Sequence, residues 1–163
     1  GTGINLQYYP EDVELVLVEP DPHMRDALRT RLETSGMNAS IFGGTVRAMK
    51  APEASFDTVA VTLVLCSVPE PDLTLAELYR VLKPGGCLIF LEHVAAHDNP
   101  ERFKWQRRID PFWQVIGDGC HLCRETEASI EAAGFELIEI KRESMRKAFP
   151  FLRPTIRGFA RKR

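Results

Sequence analysis

The sequence contains no apolar run approaching the roughly 20 residues that a membrane-spanning helix needs. It also lacks a charge bias, because 21 basic residues stand against 23 acidic ones, so bulk charge predicts no nucleic-acid partner. No internal repeat, low-complexity tract or linker divides the 163 residues. These absences favour a single domain over residues 1–163 with an ordinary apolar core.

Cysteine is scarce, with four residues at Cys66, Cys87, Cys120 and Cys123. Cys66 and Cys87 lie in apolar runs, where free buried thiols are expected, and this favours a reducing compartment. The sequence therefore predicts a cytoplasmic protein, or one on the cytosolic face of a membrane if an N-terminal anchor precedes Gly1. The oligomeric state is left open.

Short apolar runs alternate along the chain with segments whose apolar residues recur at helical spacing. The runs predict strands at 14–19, 38–42, 56–65, 87–94, 135–141 and 155–160. The spaced segments predict helices at 24–32, 75–82 and 125–133, with Gly36, the 83–86 stretch and Gly134 as stops. Continuously apolar strands are typical of a parallel sheet covered on both faces. We predict an α/β doubly wound, mostly parallel sheet with an antiparallel C-terminal strand.

The chain begins Gly1-Thr2-Gly3, two glycines that permit close approach of a ligand to the backbone. Such a short motif recurs by chance, and it gains weight from Glu19 at the end of the first predicted strand. A carboxylate at this place can accept hydrogen bonds from ribose hydroxyls. The alternative is an acid that complements the dipole of the following helix, and the residues alone leave both open.

Four stretches occur in a recognisable order: GTG at 1–3, EPD at 19–21, FDTV at 56–59 and RVLKPGG at 80–86. Together they resemble class I S-adenosylmethionine-dependent methyltransferases. The resemblance implies a Rossmann-like fold and S-adenosyl-L-methionine as the cofactor.

A closer resemblance covers nearly the whole chain. It rests on TLVLCSV at 62–68, EHV at 92–94, WQ at 105–106, IGDGC at 116–120 and RET at 124–126. These stretches are similar to the methyltransferase-like thiol S-methyltransferases. The resemblance implies a small lipophilic acceptor, above all a thiol. A quinone- or lipid-type C- or O-methyltransferase and a catalytically inactive fragment are the alternatives.

The resemblance also implies roles for individual residues on the cofactor side. The glycine loop would border the methionine moiety, Glu19 would hold the ribose, and strand-end residues would lie at the adenine and the sulfonium. The expected cofactor-binding residues are Gly1, Thr2, Gly3, Glu19, Pro20, Met24, Gly44, Thr45, Val46, Thr62 and Leu63. Arg47 follows Val46 where many relatives carry an acid, so backbone contacts to adenine are expected there.

In the family that the chain resembles, the glycine loop is longer and follows the central first strand. That strand would lie between those predicted at 14–19 and 56–65. We therefore expect the chain to be a fragment that lacks this strand, which would leave two strand edges unpaired.

The acceptor side is expected after the strand at 87–94 and in the segment at 105–124. His93 is the best-placed base for ionising a thiol, and a structural histidine is the alternative. Asp118 is the second catalytic candidate, against a role as a helix cap or a loop brace. Trp105 and Trp113 would line an apolar pocket or simply pack in the core. Cys66 and His121 complete the predicted substrate site.

The stretch Cys120-His121-Leu122-Cys123 contains one Cys-x-x-Cys pair. A structural zinc site needs four ligands, and the spacing to His93 and His97 matches no zinc pattern. A thioredoxin-like motif would stand at the start of a helix after a strand. We therefore predict no metal site.

Overall fold

The computed structural model describes residues 1–145 and 148–163. The chain forms two compact units, Gly1–Lys50 and Ala51–Arg163. The predicted single domain over 1–163 stays a prediction.

The first unit contains two parallel strands and the helices around them. After a short 3₁₀ helix, Ile4–Tyr8, come strand β1 (Leu15–Val18), helix α1 (Pro22–Ser35), strand β2 (Ala39–Phe42) and helix α2 (Val46–Met49). Strand β1 pairs with β2 in parallel register. The Asp21 side chain caps α1 by accepting the Met24 N–H at 2.8 Å, and Gly36 ends the helix with a φ of 69°. The cap and the parallel pairing place Glu19-Pro20-Asp21 at the carboxyl edge of the strands.

The second unit is a four-stranded mixed sheet with three helices. Its elements are β3 (Phe56–Thr62), α3 (Pro71–Val81), β4 (Leu82–His93), α4 (Pro100–Ile116), α5 (Thr126–Ala132), β5 (Phe135–Ser144) and β6 (Pro154–Lys162). The strand order is β3-β4-β6-β5, with β3 and β4 parallel and β6 antiparallel to both β4 and β5. The predicted antiparallel C-terminal strand is therefore confirmed.

The core of the second unit consists of the buried face of this sheet and of helices α3 and α5. Its fully buried members include Leu65, Leu75, Leu82, Leu88, Phe90, Ile130 and Ile156. Tyr79 of α3 meets Phe135 of β5 edge to face, with ring centroids 5.0 Å apart. The opposite face carries exposed apolar residues such as Ile89, and Val61 is the only buried residue of β3. The described strands and helices confirm the predicted α/β class.

The KPGG stretch differs from the sequence prediction. It was expected to separate a helix from a strand, but it lies within β4 as an outward bulge. The register of the pairing between β3 and β4 shows the bulge. Phe56 pairs with Leu82, but Thr58 pairs with Cys87, so β4 has extra residues between these two pairs. A Cβ atom on Gly86 would lie 2.8 Å from the Lys83 carbonyl oxygen, so the bulge needs glycine there.

Helix α4 contains a proline, Pro111, in its interior. The helix runs through Pro111 for 17 residues, starting at an Asn99 cap that accepts the Arg102 N–H at 3.0 Å. Across residues 1–145 and 148–163, no helix has the length and apolarity to cross a bilayer.

Candidate functional site

Glu19 is a buried carboxylate at the carboxyl end of β1, only 7% exposed. Its Oε1 accepts the Asp21 N–H at 2.8 Å, and its Oε2 pairs with the ammonium group of Gly1. The Glu19 N–H donates to the Phe42 carbonyl at 3.1 Å, which ties the end of β1 to the end of β2. A buried carboxylate held at a strand end by a backbone amide is a preorganised acceptor of hydrogen bonds.

The glycine segment lies beside Glu19 in the same unit. Gly3 has a φ of 81°, and a Cβ atom there would lie 2.7 Å from the Leu28 side chain. Glycine is therefore required both for the backbone conformation and for close packing against α1. The Arg31 guanidinium donates to the Thr2 carbonyl at 3.1 Å and so fixes the middle of the segment.

The remaining residues predicted in this unit follow the two strand ends. Pro20 and Met24 are exposed next to Glu19 and on the first turn of α1. Thr45 caps α2, where its hydroxyl accepts the Ala48 N–H at 3.3 Å, and Gly44 and Val46 flank it. Because β1 and β2 are parallel, both strand ends lie at one edge, where the two groups of residues can contact the same ligand.

In the second unit, Thr62 ends β3 and Leu63 turns the chain away from the sheet. Leu63 has a φ of 55°, an uncommon value for a leucine, and its N–H donates to the Leu91 carbonyl at 2.8 Å. Both residues are exposed at the carboxyl end of the parallel strands. A strained non-glycine residue at such a strand end is a feature often found at ligand sites.

Glu92 organises the turn that follows β3, and sequence reasoning did not assign it a role. Its side chain is fully buried, with Oε1 accepting the Val64 N–H and Oε2 the Cys66 N–H, each at 3.0 Å. Burial raises the pKa of Glu92, and the backbone hydrogen bonds oppose that rise. The only signal in the sequence is an acid at the end of an otherwise apolar strand.

A second segment, residues 117–124, lies against this turn. The His121 N–H donates to the Cys66 carbonyl at 2.8 Å. The Arg124 guanidinium donates to the carbonyls of Leu65 and Val68 at 2.9 and 2.6 Å. The segment therefore also holds this turn, through bonds to its backbone carbonyls.

His93 lies at the end of β4, directly after Glu92. Its Nδ1 is buried and has no hydrogen-bond partner among the residues that the structure describes. Burial lowers the pKa of His93, and the nearby backbone at Pro154 and Leu152 partly offsets this effect. A neutral imidazole with an unused ring nitrogen can accept a proton.

Asp118 and His121 lie on the 117–124 segment. Asp118 is exposed with a φ of 51°. It does not cap the following helix, because Glu125 occupies the N-cap position of α5. His121 is half-buried, and its Nδ1 lies 3.7 Å from an Asp110 carboxylate oxygen.

The aromatic residues of α4 take different positions. Trp113 is half-buried and packs edge to face on Phe151, with ring centroids 5.6 Å apart. Trp105 and Phe112 are 56% and 76% exposed. The alternative that Trp105 packs in the core is therefore wrong, and its role as a pocket residue stays a prediction.

Cys120 belongs with Cys66 rather than with Cys123. The segments that carry Cys66 and Cys120 are adjacent, because the His121 N–H donates to the Cys66 carbonyl, and both cysteines are buried. Within residues 1–145 and 148–163, no group of three or more His, Cys, Asp or Glu side chains is placed to hold a metal ion.

Residues 1–90 match the family model described as "Methyltransferase domain". Over 146 residues the chain is 40% identical to the thiol S-methyltransferase TMT1B of Rattus norvegicus, covering 86% of this chain and 59% of that protein. It is 33% identical to the thiol S-methyltransferase TMT1A of Homo sapiens, covering 98% of this chain and 67% of that protein. A putative methyltransferase from Bacillus halodurans superposes with a TM-score of 0.73 at 18% identity, covering 92% of this chain and 83% of that one. The chain therefore spans about three fifths of the rat relative.

Proposed function

Because the chain belongs to the methyltransferase domain family, we propose that it transfers a methyl group from S-adenosylmethionine to a small lipophilic thiol. Similarity to proteins named thiol S-methyltransferases supports the thiol, and it extends through the acceptor-side residues after position 90. The observation that carries the proposal is the buried Glu19 carboxylate at a strand end beside a glycine segment.

The residues of the first unit fit the cofactor. A nucleoside presents ribose hydroxyl donors, and Glu19 offers carboxylate oxygens held in place by the Asp21 N–H. Gly3 keeps the backbone open where a Cβ would collide with Leu28. Gly44, Thr45 and Val46 present backbone at the same edge of the strands, which suits contacts to an adenine edge without a carboxylate.

The cofactor, when bound, supplies an electrophilic methyl group on a sulfonium. The protein must then orient the acceptor and remove its proton, since a free thiol has a pKa of about 8.5. Thr62 and Leu63, at the end of β3, are the proposed contacts beside the reacting centre. Cys66, Trp105, Trp113 and His121 are the proposed acceptor-side contacts.

Glu92 and His93 have different proposed roles, one in holding the turn and one in removing the proton. Both Glu92 oxygens already accept backbone N–H groups, so Glu92 holds the turn and is poorly placed to take a proton. His93 is kept neutral by burial and has an unused Nδ1. It is therefore the proposed base, and the exposed Asp118 is the secondary candidate.

The test is an assay of the full chain with S-adenosylmethionine and three acceptors: 2-phenylethanethiol, 2-phenylethanol and phenol. Mass spectrometry would follow S-adenosylhomocysteine and the methylated products. We expect the methyl thioether alone. Methylation of phenol without formation of the thioether would instead indicate a C- or O-methyltransferase. Absence of both products and of cofactor binding would overturn the proposal.

A further inference from the structure

Two cysteines that are distant in sequence meet beneath the turn that follows β3. Cys66 is 1% exposed and Cys120 is 7% exposed. The segments that carry them run side by side, because the His121 N–H donates to the Cys66 carbonyl at 2.8 Å. A Cβ atom on Gly119 would lie 3.1 Å from the Ser67 carbonyl oxygen, so the two backbones are in close contact.

The environment distinguishes the two thiols. The Cys66 thiol interacts with the Cys120 sulfur, and this interaction with burial raises the pKa of Cys66. The same interaction lowers the pKa of Cys120 to about 7, and the nearby Trp113 indole also lowers it. Cys123 shows the opposite behaviour, because burial and the nearby Asp110 carboxylate raise its pKa to about 11. The pair therefore favours ionisation of the Cys120 thiol, on the more exposed residue, over ionisation of the Cys66 thiol.

We propose that Cys66 and Cys120 form a redox modification site that reacts with small organic disulfides and closes to an intramolecular disulfide. The Cys120 thiolate attacks one sulfur of RS–SR, which forms a mixed disulfide and releases one RS⁻. Cys66 then loses its proton and attacks the Cys120 sulfur, which releases the second RS⁻ and forms the Cys66–Cys120 bond. The organic disulfide gains two electrons and leaves as two thiols, and the cysteine pair loses them.

The exposure of the two cysteines sets the order of these steps, and their position in the fold sets the consequence. Cys120 reacts first because it keeps the larger accessible surface, and Cys66 resolves from beneath. The bond would tie the 117–124 segment to the turn that Glu92 holds. That turn begins at Leu63, so oxidation would fix the acceptor-side surface of the second unit in one arrangement.

Peptide mapping of the full chain tests the site without any assay of methyl transfer, so its failure is separable from failure of the proposed function. The protein would be incubated with bis(2-hydroxyethyl) disulfide, alkylated to block free thiols, and digested without reduction. We expect a linked pair of peptides containing Cys66 and Cys120 that disappears after reduction. Recovery of alkylated Cys66 and Cys120, or of a Cys120–Cys123 link, would overturn the proposal.

Variants define the order of attack. In Cys66→Ser, we expect one hydroxyethylthio adduct that stays on Cys120, because the resolving thiol is absent. In the control Cys87→Ser, the Cys66–Cys120 link should form as in the unaltered chain. An adduct on Cys66 in Cys120→Ser, at the rate seen for Cys120, would contradict the assigned order. Circular dichroism would verify that each variant is folded. If a variant is not folded, the peptide map of the unaltered chain alone tests the proposed Cys66–Cys120 link.

Discussion

The Glu92 carboxylate accepts the backbone N–H of Cys66 at 3.0 Å across 26 positions of sequence. Together with the bond from the Val64 N–H, this contact shapes the turn after β3 from within the neighbouring strand. An acid at the end of β4 thus determines the path of the chain at the end of β3. The parallel pairing of the two strands makes the contact possible.

Replacing Glu92 should destabilise the second unit. In Glu92→Gln, one side-chain oxygen becomes an NH₂ donor that faces a backbone N–H, which leaves a buried donor without an acceptor. We expect a loss of about 1–3 kcal/mol in the free energy of unfolding. Urea denaturation would measure it, with Glu136→Gln on β5 as an exposed control. Equal stability of the two variants would contradict the role of Glu92.

His93 should make stability depend on pH in the acidic range. Burial lowers its pKa in the folded chain below the ordinary value of 6.5, so the unfolded chain binds the proton more readily. The stability that His93 contributes above pH 6.5 is therefore lost as the pH falls through the lower folded value. The slope is at most about 1.4 kcal/mol per pH unit for one proton.

Measuring the unfolding of the unaltered chain and of His93→Gln between pH 5 and pH 8 tests this sign. These limits lie about 1.5 units on either side of the ordinary histidine pKa of about 6.5. The variant should lose less stability on acidification. The exposed His23→Gln serves as a control and should follow the unaltered chain. Parallel curves for His93→Gln and the unaltered chain would show that His93 does not titrate differently on folding.

A catalytic role for His93 has a separate kinetic signature. If the imidazole removes the acceptor proton, His93→Gln should slow transfer to an alkyl thiol more than transfer to a thiol already ionised at the assay pH. Turnover of 2-phenylethanethiol and of an acidic aryl thiol would be compared. Equal losses on both thiols would indicate a structural histidine that only supports the end of β4.

The alternation of strands and helices could be read from the sequence because it depends on local periodicity. Asp21, Pro22 and Gly36 mark the ends of α1 through local capping, so its neighbour Glu19 could be placed at a strand end. The antiparallel position of β6 followed in the same way from two apolar runs separated by a loop. The bulge in β4 could not be predicted, since it depends on pairing with β3.

The acceptor side was harder to predict because its contacts are distant in sequence. Glu92 acts on Val64 and Cys66, which local pattern cannot reveal. The Cys-x-x-Cys spacing suggests that Cys120 pairs with Cys123, whereas the fold brings Cys66 close to Cys120. The sequence also could not show which of Trp105 and Trp113 would be exposed.

Gly158 should tolerate no side chain. It pairs with Phe90 on one side and Ile140 on the other, and a Cβ atom would lie 1.9 Å from the Glu139 carbonyl oxygen. Because the obstacle is backbone, Gly158→Ala must distort the pairing of β5 with β6, at a cost of about 1–3 kcal/mol or more. Urea denaturation would measure the loss. Arg161→Ala, at an exposed position of the same strand, should change stability little, and comparable losses would contradict the steric account.

Glu19 provides the sharpest test of the cofactor site. Its carboxylate is buried at the end of β1 and oriented by the Asp21 N–H, so bound ribose hydroxyls would meet a charged acceptor. Glu19→Gln keeps the shape of the side chain but removes the charge. We expect affinity for S-adenosylhomocysteine to fall by about 1–3 kcal/mol, the range for hydrogen bonds to a charged group. Titration calorimetry on the full chain would measure it.

The matched control for this prediction is Glu14→Gln, an exposed acid at the opposite end of β1. It changes net charge by the same amount, so any general electrostatic effect on the cofactor appears in both variants. A loss confined to Glu19→Gln, with thermal unfolding like that of the control, assigns the effect to direct contact. Unchanged affinity in Glu19→Gln would remove Glu19 from the ribose role and leave it as the acid that anchors the first turn before α1.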